Sequence, residues 1–294
     1  MPVKRDFIRV LLFAGVAAAA HAQSGNAPGS LASIYNSSLA AGLALADTVP
    51  ISTPTVDGGG VVSGASFQPG IVPGSWVTIK GANLSPVSAD TWDNAIVDGK
   101  LPTTLDGVSV SMGSKDAYVY FISPGQINVQ APDIGAGPVP VTVKTPGGTS
   151  LAVTATVVAQ APAFFQWPGS QAVATRNSDG SLAVKAGTFA GANTLAAKPG
   201  DVLILWGTGF GPTSPAVAAG IQVPSDKLYS TSPVTVKIGS ADATVFGAAL
   251  SPGYAGLYQI AIQVPASMAD GDYPLTATVS GATSPASVIL SVKK

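Results

Sequence analysis

The chain has 294 residues, of which 46% are hydrophobic and 10% charged, and it contains 34 Gly, 24 Pro and no Cys. So many glycines and prolines with so few charges favour short strands joined by turns, and they argue against helical bundles and coiled coils. All 15 acidic residues are Asp, and the absence of Glu, a good helix former, points the same way.

The first 22 residues are typical of a secretory signal peptide. A basic start is followed by an apolar run over residues 10–20 and by the sequence AHA, which fits a cleavage site before Gln23. The apolar run is shorter than the roughly 20 residues of a membrane-spanning helix. We therefore expect an exported protein without an integral membrane span, located in the periplasm, on the cell surface or outside the cell.

Removal of this leader narrows the kinds of catalytic and metal site that the mature chain can form. It takes away His21, the only His, so the expected mature chain has neither His nor Cys. That excludes Ser-His-Asp and Cys-His nucleophiles, metal sites with His or Cys ligands, and disulfides. The leader also holds three of the 14 basic residues and one of the 15 acidic ones, so the mature chain carries 11 against 14. A negative chain with Arg176 as its only Arg argues against nucleic-acid binding, and we expect no cofactor and no metal.

Residues 23–60 are rich in Ser, Ala, Gly and Pro, which is typical of a flexible segment. Apolar residues at steps of four after Ser30 leave a short helix as the alternative, with Ser30 as its N-cap. Such a helix would bind a partner.

An internal repeat organises the remainder. Residues 73–86 (PGSWVTIKGANLSP) and 199–212 (PGDVLILWGTGFGP) align without a gap at an offset of 126. Further along, QINVQAP at 126–132 matches QIAIQVP at 259–265. The pattern predicts two tandem copies of one module of about 100 residues.

Each copy has the sequence pattern of antiparallel β-structure. In residues 126–131, Ile127, Val129 and Ala131 alternate with polar residues, and strict alternation marks a half-buried strand. Similar runs predict strands at 75–80, 107–112, 116–122, 139–145 and 151–158, and at 201–206, 233–238, 243–249, 257–264, 273–279 and 287–292. Six or seven short strands per copy predict an all-β chain of two tandem immunoglobulin-like sandwiches, at 61–160 and 161–294.

Two details of this organisation follow from the repeat. Asn83 and Gly209 occupy matched positions after the first predicted strand of each copy, and both residue types tolerate left-handed backbone. Leu84 and Phe210 follow them as expected core residues. The segment over 161–165 is expected to pass between the sandwiches, with both of its phenylalanines filling the interface.

A family resemblance rests on these segments. PGSWVTIKGANL resembles the opening of an IPT/TIG immunoglobulin-like domain. In order, VVSGASFQPGIVPGSWVTIKGANLSP, LPTTLDGVSV, ISPGQINVQAP, TPGGTS, AQAPAFF, KPGDVLILWGTGFGP and LYQIAIQVP resemble the Solibacter-type C-terminal domain of secreted acidobacterial proteins. The resemblance covers residues 61–294. It implies an exported β-sandwich module and no particular reaction.

The candidate ligand-binding residues are aromatic. Tyr118 and Tyr120 share one face of a predicted strand, opposite Ala117 and Val119, and Trp92 lies in a predicted loop. Exposed aromatic side chains suit sugars or a partner surface, because they combine an apolar face with a polar group. The alternative is that the two tyrosines pack on a facing loop or between the two sandwiches.

Other motifs carry weaker functional readings. The glycines of residues 207–212 are followed by Pro212, which prevents the helix that a nucleotide loop needs, so a turn is predicted. Asp90, Asp93, Asn94 and Asp98 match no calcium motif and predict a solvated loop.

We expect a non-catalytic exported protein with a structural, adhesive or binding role, recognising an envelope protein or an extracellular glycan. The alternative is an Asp-dependent hydrolase of extracellular polysaccharide, which requires two converging carboxylates.

Overall fold

A computed structural model describes residues 52–189 and 194–294. Across these two ranges the chain forms β-strands and two short 3-10 turns, so the predicted all-β fold is confirmed. None of the helical segments described there is long and apolar enough to cross a membrane. The predicted signal peptide and the possible helix after Ser30 lie outside the described residues.

The first sandwich has two sheets. The strands are β1 Thr55–Ser63, β2 Trp76–Ala82, β3 Asp90–Thr91, β4 Thr104–Leu105, β5 Val108–Met112, β6 Lys115–Asp116, β7 Tyr118–Ser123, β8 Gln126–Gln130, β9 Gly137–Thr145, β10 Gly148–Thr149 and β11 Val153–Val157. One sheet has the order β1-β2-β8-β7-β3, and the other has the order β10-β9-β5-β4, with β11 paired to β9 and β6 paired to β5. A 3-10 turn over Trp92–Asn94 follows β3.

The second sandwich repeats this arrangement, but its layers are joined. The strands are β12 Ala163–Phe164, β13 Gln166–Trp167, β14 Gln171–Ala172, β15 Ala174–Arg176, β16 Val202–Thr208, β17 Thr213–Ser214, β18 Ser230–Thr231, β19 Val234–Ile238, β20 Ala241–Leu250, β21 Tyr258–Gln263, β22 Gly271–Val279, β23 Ala282–Thr283 and β24 Ile289–Val292. A 3-10 turn over Pro168–Ser170 lies between β13 and β14. The long β20 pairs with β21 in one layer and β19 in the other. The first copy breaks the same stretch at Ala117, which separates β6 from β7.

The two copies share register as well as strand order. Trp76 lies opposite Gln130 in the first copy, and the matched Val202 lies opposite Gln263 in the second. Both copies also carry a bulge at the same place, at Tyr120 in β7 and at Phe246 in β20. A bulge inserts one unpaired residue and re-aims its side chain. The two copies therefore share this irregularity as well as their strands.

The predicted strands end within two residues of the observed ones. The first strand begins at Thr55, before the predicted start of the sandwich at residue 61. Its sequence, TVDGGGVVS, hides the alternation because three glycines interrupt it. The strands between residues 163 and 176 were not predicted either, since each is only two or three residues long.

The cores contain the inward side chains of this alternation. In the first sandwich Val77, Ile79, Ile127 and Val129 are fully buried. In the second, Leu203, Leu205, Ile260 and Ile262 are fully buried at the corresponding positions. Each fully buried aliphatic side chain contributes about 1.5–3 kcal/mol of transfer free energy.

The predicted turn after the first strand of each copy is confirmed. Asn83 has φ 56° and Gly209 has φ 78°, so both lie in the left-handed region. Leu84 and Phe210, which follow them, are buried in the two cores. At Gly209 an added Cβ would collide with the carbonyl oxygen of Ala161, so the linker itself requires a glycine there.

The prediction for the linker phenylalanines is right for only one of them. Phe165 lies in the interface between the sandwiches, whereas Phe164 lies in the core of the second sandwich, 6.0 Å from the ring of Phe210. Adjacent residues of an extended segment point to opposite sides, so a single pass of the chain cannot place both in one interface.

We predict that Gly209→Ala destabilises the protein much more than Asn83→Ala. The first change adds left-handed strain and a collision with the linker, for a cost of about 3 kcal/mol. The second adds strain and removes a long, exposed hydrogen bond from Asn83 to the carbonyl oxygen of Thr53, for about 1 kcal/mol. Guanidinium unfolding of the full chain measures both changes. Equal losses would show that the linker contact at Gly209 is unimportant.

Candidate functional site

Three aromatic rings of the first sandwich form the centre of the candidate site. Trp76, Trp92 and Tyr120 contact one another edge to face, with centroid distances of 5.0 to 5.5 Å. Such pairs contribute about 0.5–1.5 kcal/mol each beyond the area they bury. We call these three residues the aromatic triad.

Local structure brings the triad together. Trp76 points outward because the next residue, Val77, points into the core of the sandwich. Tyr120 is the bulged residue of β7, one strand beyond β8. Trp92 follows β3, which pairs with β7, so the 3-10 turn folds over the same face.

The second sandwich covers this face with apolar side chains. Phe165, Trp167, Val173 and Leu257 belong to the same buried cluster as the triad. Trp167 in turn contacts Phe189 edge to face at 5.0 Å. The interface between the sandwiches is therefore a third apolar core.

Hydrogen bonds close this core on the side of Trp76. The indole Nε1 of Trp76 donates to the carbonyl oxygen of Ala255 at 2.9 Å. The backbone N–H of Trp76 donates to the hydroxyl of Thr208 at 3.1 Å, and that hydroxyl donates to the carbonyl of Gly256 at 2.8 Å. Thr208 is fully buried, so this one hydroxyl satisfies a donor of the first sandwich and an acceptor of the second.

A second seam of polar contacts lies around Gly220. Its N–H donates to Oε1 of Gln130 at 2.9 Å, and its carbonyl accepts from the N–H of Leu101 at 2.9 Å. The ring of Tyr118 occupies the space that a Cβ at this position would take, and φ is 85°. Both facts require a glycine at position 220.

The predicted exposure of the aromatic residues is wrong for two of them. Tyr120 is 3% exposed and Trp92 is 7% exposed, and both lie in the interface. The alternative prediction, packing between the two sandwiches, is the one observed. Tyr118 is half-buried at the edge of the same cluster, and its pKa is raised by burial and by the charge of Asp133. Ligand binding by Tyr118, Tyr120 and Trp92 stays a prediction, and Trp92 and Tyr120 meet a ligand only if the sandwiches part.

A cleft of about 760 Å³ adjoins the interface. Its walls come from both sandwiches and from the linker over 158–160, and most of the lining is Gly, Pro, Ala and Val. Among the described residues that line it, Asp133 is the only carboxylate, and its Oδ2 already accepts the N–H of Ala219 at 3.2 Å. The cleft therefore suits an uncharged, largely apolar occupant.

One pair of carboxyl groups does converge, elsewhere on the first sandwich. The side chains of Asp90 and Asp106 are hydrogen-bonded, and the pKa of Asp106 is raised by partial burial, by that hydrogen bond and by the charge of Asp90. Asp106 lies with Gly107 in a two-residue turn between β4 and β5, outside the lining of the cleft. In the described ranges, no three His, Cys, Asp or Glu side chains group as metal ligands.

We predict that Asp106→Asn raises the thermal midpoint at pH 7 by roughly 1–3 °C. Because the pKa of Asp106 is raised in the folded state, its neutral carboxyl stabilises the fold at pH values below its ordinary pKa of 3.8. This contribution is lost as the pH rises through the raised pKa. Asn mimics the neutral form and tolerates the left-handed φ of 47° at this position. The gain should vanish near pH 3. Asp116→Asn, at an exposed position of the same sandwich, is the control, and an equal gain there would contradict the pairing.

Comparison with known families places the first copy. Residues 65–158 match the IPT/TIG domain. This stretch is an IPT/TIG domain. It contains the whole aromatic triad, and it lies within the region for which the sequence resemblance predicted such a domain. No curated protein matches the chain.

Similar solved structures come from several kinds of protein. SGBP-B of the Bacteroides ovatus mixed-linkage glucan utilization locus, in complex with a heptasaccharide, has 12% identity and a TM-score of 0.31 over 76% of this chain and 43% of its own. SGBP-B of a Bacteroides uniformis xyloglucan locus has 13% identity and a TM-score of 0.22 over 79% and 47%. The plexin A4 extracellular region has 12% identity and a TM-score of 0.25 over 82% and 18%. The chain spans less than half the length of each.

Apart from Phe165, sequence reasoning missed the residues that the second sandwich supplies to the interface. Ala255, Gly256 and Leu257 lie in the small insertion by which the second copy departs from the first. That departure from the repeat was a signal, because an insertion present in one copy serves a contact that the other copy does not make. Thr208 and Gly220 carry no comparable signal.

Proposed function

We propose that the chain is an exported, non-catalytic structural protein in which two immunoglobulin-like sandwiches act as one rigid unit. The observation that carries this proposal is the interface around the aromatic triad, with its buried hydrogen bonds through Thr208. The unit presents its outer surfaces to an envelope protein or an extracellular glycan. The signal peptide of the sequence and the resemblance to the Solibacter-type secreted domain support export.

Rigidity follows from what the interface buries. Domains within one chain ordinarily move relative to each other unless their interface is large and apolar. Here Trp76 is 2% exposed and Thr208 is 0% exposed, although each sandwich alone would leave these groups in contact with water. Separating the sandwiches exposes the triad and breaks the two hydrogen bonds that Trp76 donates to Thr208 and Ala255. The linker is also short, since β11 ends at Val157 and β12 begins at Ala163.

The absence of His and Cys from the mature sequence supports a non-catalytic role. The alternative function is an Asp-dependent hydrolase of extracellular polysaccharide, which needs two carboxyl groups about 5–10 Å apart across the scissile bond. Asp90 and Asp106 are the candidate pair, although their carboxyl groups are in direct contact, closer than that spacing. Purified protein incubated with soluble polysaccharides tests this alternative through the release of reducing ends. Release that Asp106→Asn abolishes and Asp116→Asn leaves intact would establish the hydrolase.

We predict that Trp76→Ala uncouples the two sandwiches. The change removes one ring of the triad and the hydrogen bond from the indole to Ala255. It also loosens the packing around the backbone hydrogen bond to Thr208. The total cost is about 3–5 kcal/mol. Calorimetry should show one unfolding transition for the wild type and two for the variant. Small-angle scattering at low concentration should show a larger radius of gyration. Leu151→Ala, at a side chain that is 90% exposed, should change neither result.

A single transition and an unchanged scattering profile for Trp76→Ala would contradict the rigid unit. Thr208→Val provides a gentler test of the same interface. The substitution keeps the shape and leaves the buried N–H of Trp76 without its acceptor, which costs about 1–3 kcal/mol. Thr208→Val should separate the unfolding transitions and raise the radius of gyration less than Trp76→Ala does.

We predict that any glycan or partner contact at this site depends on Tyr118 rather than on the buried residues. A screen of the purified protein against polysaccharides and envelope extracts identifies the ligand. Tyr118→Ala should then weaken binding by about 5–30-fold, as loss of one aromatic contact does. If Tyr118→Ala binds as the wild type does, the ligand binds elsewhere on the unit.

A further inference from the structure

The chain enters and leaves the first sandwich at opposite ends. It enters at Thr55, which pairs with Ala82 at the end of β2 that lies away from the second sandwich. It leaves at Val157, the end of β11, which lines the cleft between the sandwiches. The nine residues of β1 span about 25–30 Å. Tension along the chain therefore pulls β1 and β11 lengthwise and in opposite directions.

The second sandwich repeats this path. Its first strand, β12, begins at Ala163 opposite Thr208, which bonds the first sandwich. Its last strand, β24, ends at Val292 beside Ala197, in the segment that leads into the opposite end of β16. The two sandwiches are therefore in series, and tension that enters at Thr55 leaves after Val292.

Lengthwise tension loads the first and last strands of each copy in the direction that they resist best. In the first copy, β1 pairs with β2 through five residues, and β11 pairs with β9 through five. In the second, β12 and β15 pair with β16 through two and three residues, and β24 pairs with β22 through four. A strand pulled along its axis must break these hydrogen bonds together, whereas a strand peeled from one end breaks them one after another.

Two further hydrogen bonds tie the last strand of the first copy to the other sheet. The N–H of Ile71 donates to the carbonyl of Thr156 at 2.9 Å, and the N–H of Val158 donates to the carbonyl of Ile71 at 2.8 Å. Ile71 leads into β2, which lies in the other sheet from β11, and it runs parallel to β11 at this point. The last strand is therefore held on both edges, by β9 and by Ile71.

The second copy has the same tie. Ala197 lies 126 residues after Ile71, at the offset of the repeat. Its N–H donates to the carbonyl of Ser291 at 3.0 Å, and its carbonyl accepts the N–H of Lys293 at 2.8 Å. The hydroxyl of Ser291 also donates to Oε1 of Gln171 at 2.8 Å, on the strand β14 that pairs in parallel with β24. We call the backbone bonds of Ile71 and Ala197 the strand ties.

We propose that the chain is a tension-bearing connector, in which both sandwiches resist force along the chain and the strand ties hold their last strands in place. This inference rests on the proposed function as a rigid structural unit. Within that unit the linker is pinned to the second sandwich, since the N–H of Ala161 donates to the carbonyl of Gly209 at 3.0 Å. Such tension arises wherever different partners hold the two ends of an exported protein.

The direction of pulling tests this inference on the folded full chain. The chain has no Cys, so two introduced cysteines define where optical tweezers apply force. Ser52→Cys with Ala159→Cys pulls the first sandwich lengthwise, and Ser52→Cys with Leu151→Cys pulls it from one end. The positions of the second pair lie at the same end, since Thr53 donates to the carbonyl of Gly147. The unfolding force should be about twofold higher, or more, in the lengthwise geometry. Equal forces would overturn the tension-bearing connector.

Proline substitutions test the strand ties, with force applied between Ser52→Cys and Lys294→Cys. Lys293→Pro removes the N–H that donates to Ala197. Lys293 is exposed, so the core is unchanged. At constant force the variant should unfold about fivefold faster or more, because a bond that resists the load is lost. Lys293→Ala keeps the N–H and should unfold at the rate of the parent chain.

The length of chain released identifies the copy that yields first. Unfolding of residues 55–158 releases about 35 nm, and unfolding of residues 163–293 releases about 45 nm. Lys293→Pro should therefore speed the longer release, and Val158→Pro, which removes the matching N–H of the first copy, should speed the shorter one.

Unchanged rates in both proline variants would overturn the role of the strand ties. Thermal midpoints show that each variant is folded, and the exposed position of Lys293 keeps the test decisive if Val158→Pro fails to fold. Scattering at low concentration reports the rigid unit independently. A protein that is rigid by scattering and unfolds at equal force in both directions contradicts the connector alone, so this failure is distinguishable from failure of the proposed function.

Discussion

The structure depends on the burial of Trp76. This side chain leaves the core of the first sandwich and enters a second apolar environment that only the other sandwich can complete. Its indole N–H and backbone N–H both find acceptors in the second sandwich, at Ala255 and Thr208. Separating the sandwiches would expose this apolar area and leave both donors of Trp76 without their acceptors. We therefore expect the two domains to unfold together. Gly220 and Gly256 follow from the same closeness, since a side chain at either position would collide with the first sandwich.

Duplication supplied two equivalent faces, and the second sandwich covers the one on the first. Tyr120 and Phe246 are the same position of the same bulge in two environments. The polar neighbours differ accordingly, since Asn128 is 6% exposed in the first copy and is replaced by Ala261 in the second. Amides and hydroxyls are tolerated under the covering domain because partners satisfy them, as at Thr78, whose hydroxyl bonds Asn128 at 3.1 Å. At the matching positions of the second copy, Ile204 and Ala261 stand in place of Thr78 and Asn128.

The sequence carried most of the fold and little of the site, for a physical reason. Alternation of period two identifies which side of a strand faces the core, and the inward residues such as Ile127 and Val129 were correctly predicted. It says nothing of what covers the outward side, so it did not decide between an exposed and a covered Tyr120. Trp92 was placed in a predicted loop, for which alternation gives no information. The bulge adds a further difficulty, because it changes the parity of β7 and allows Tyr120 and Phe121 both to be buried. Thr208 and Gly220 act through contacts 132 and 90 residues away in the chain, which no local pattern records.

Besides the linker phenylalanines, the local signal of the interface was a break in the repeat. An insertion in a duplicated module is free of the constraint that keeps the strands alike, and it can acquire a contact of its own. Residues 254–257 reach back to Trp76 in this way, and the first copy has no counterpart to them. Because only the second copy has this loop, the interface is asymmetric: the first sandwich contributes a sheet face, and the second contributes a loop and the linker.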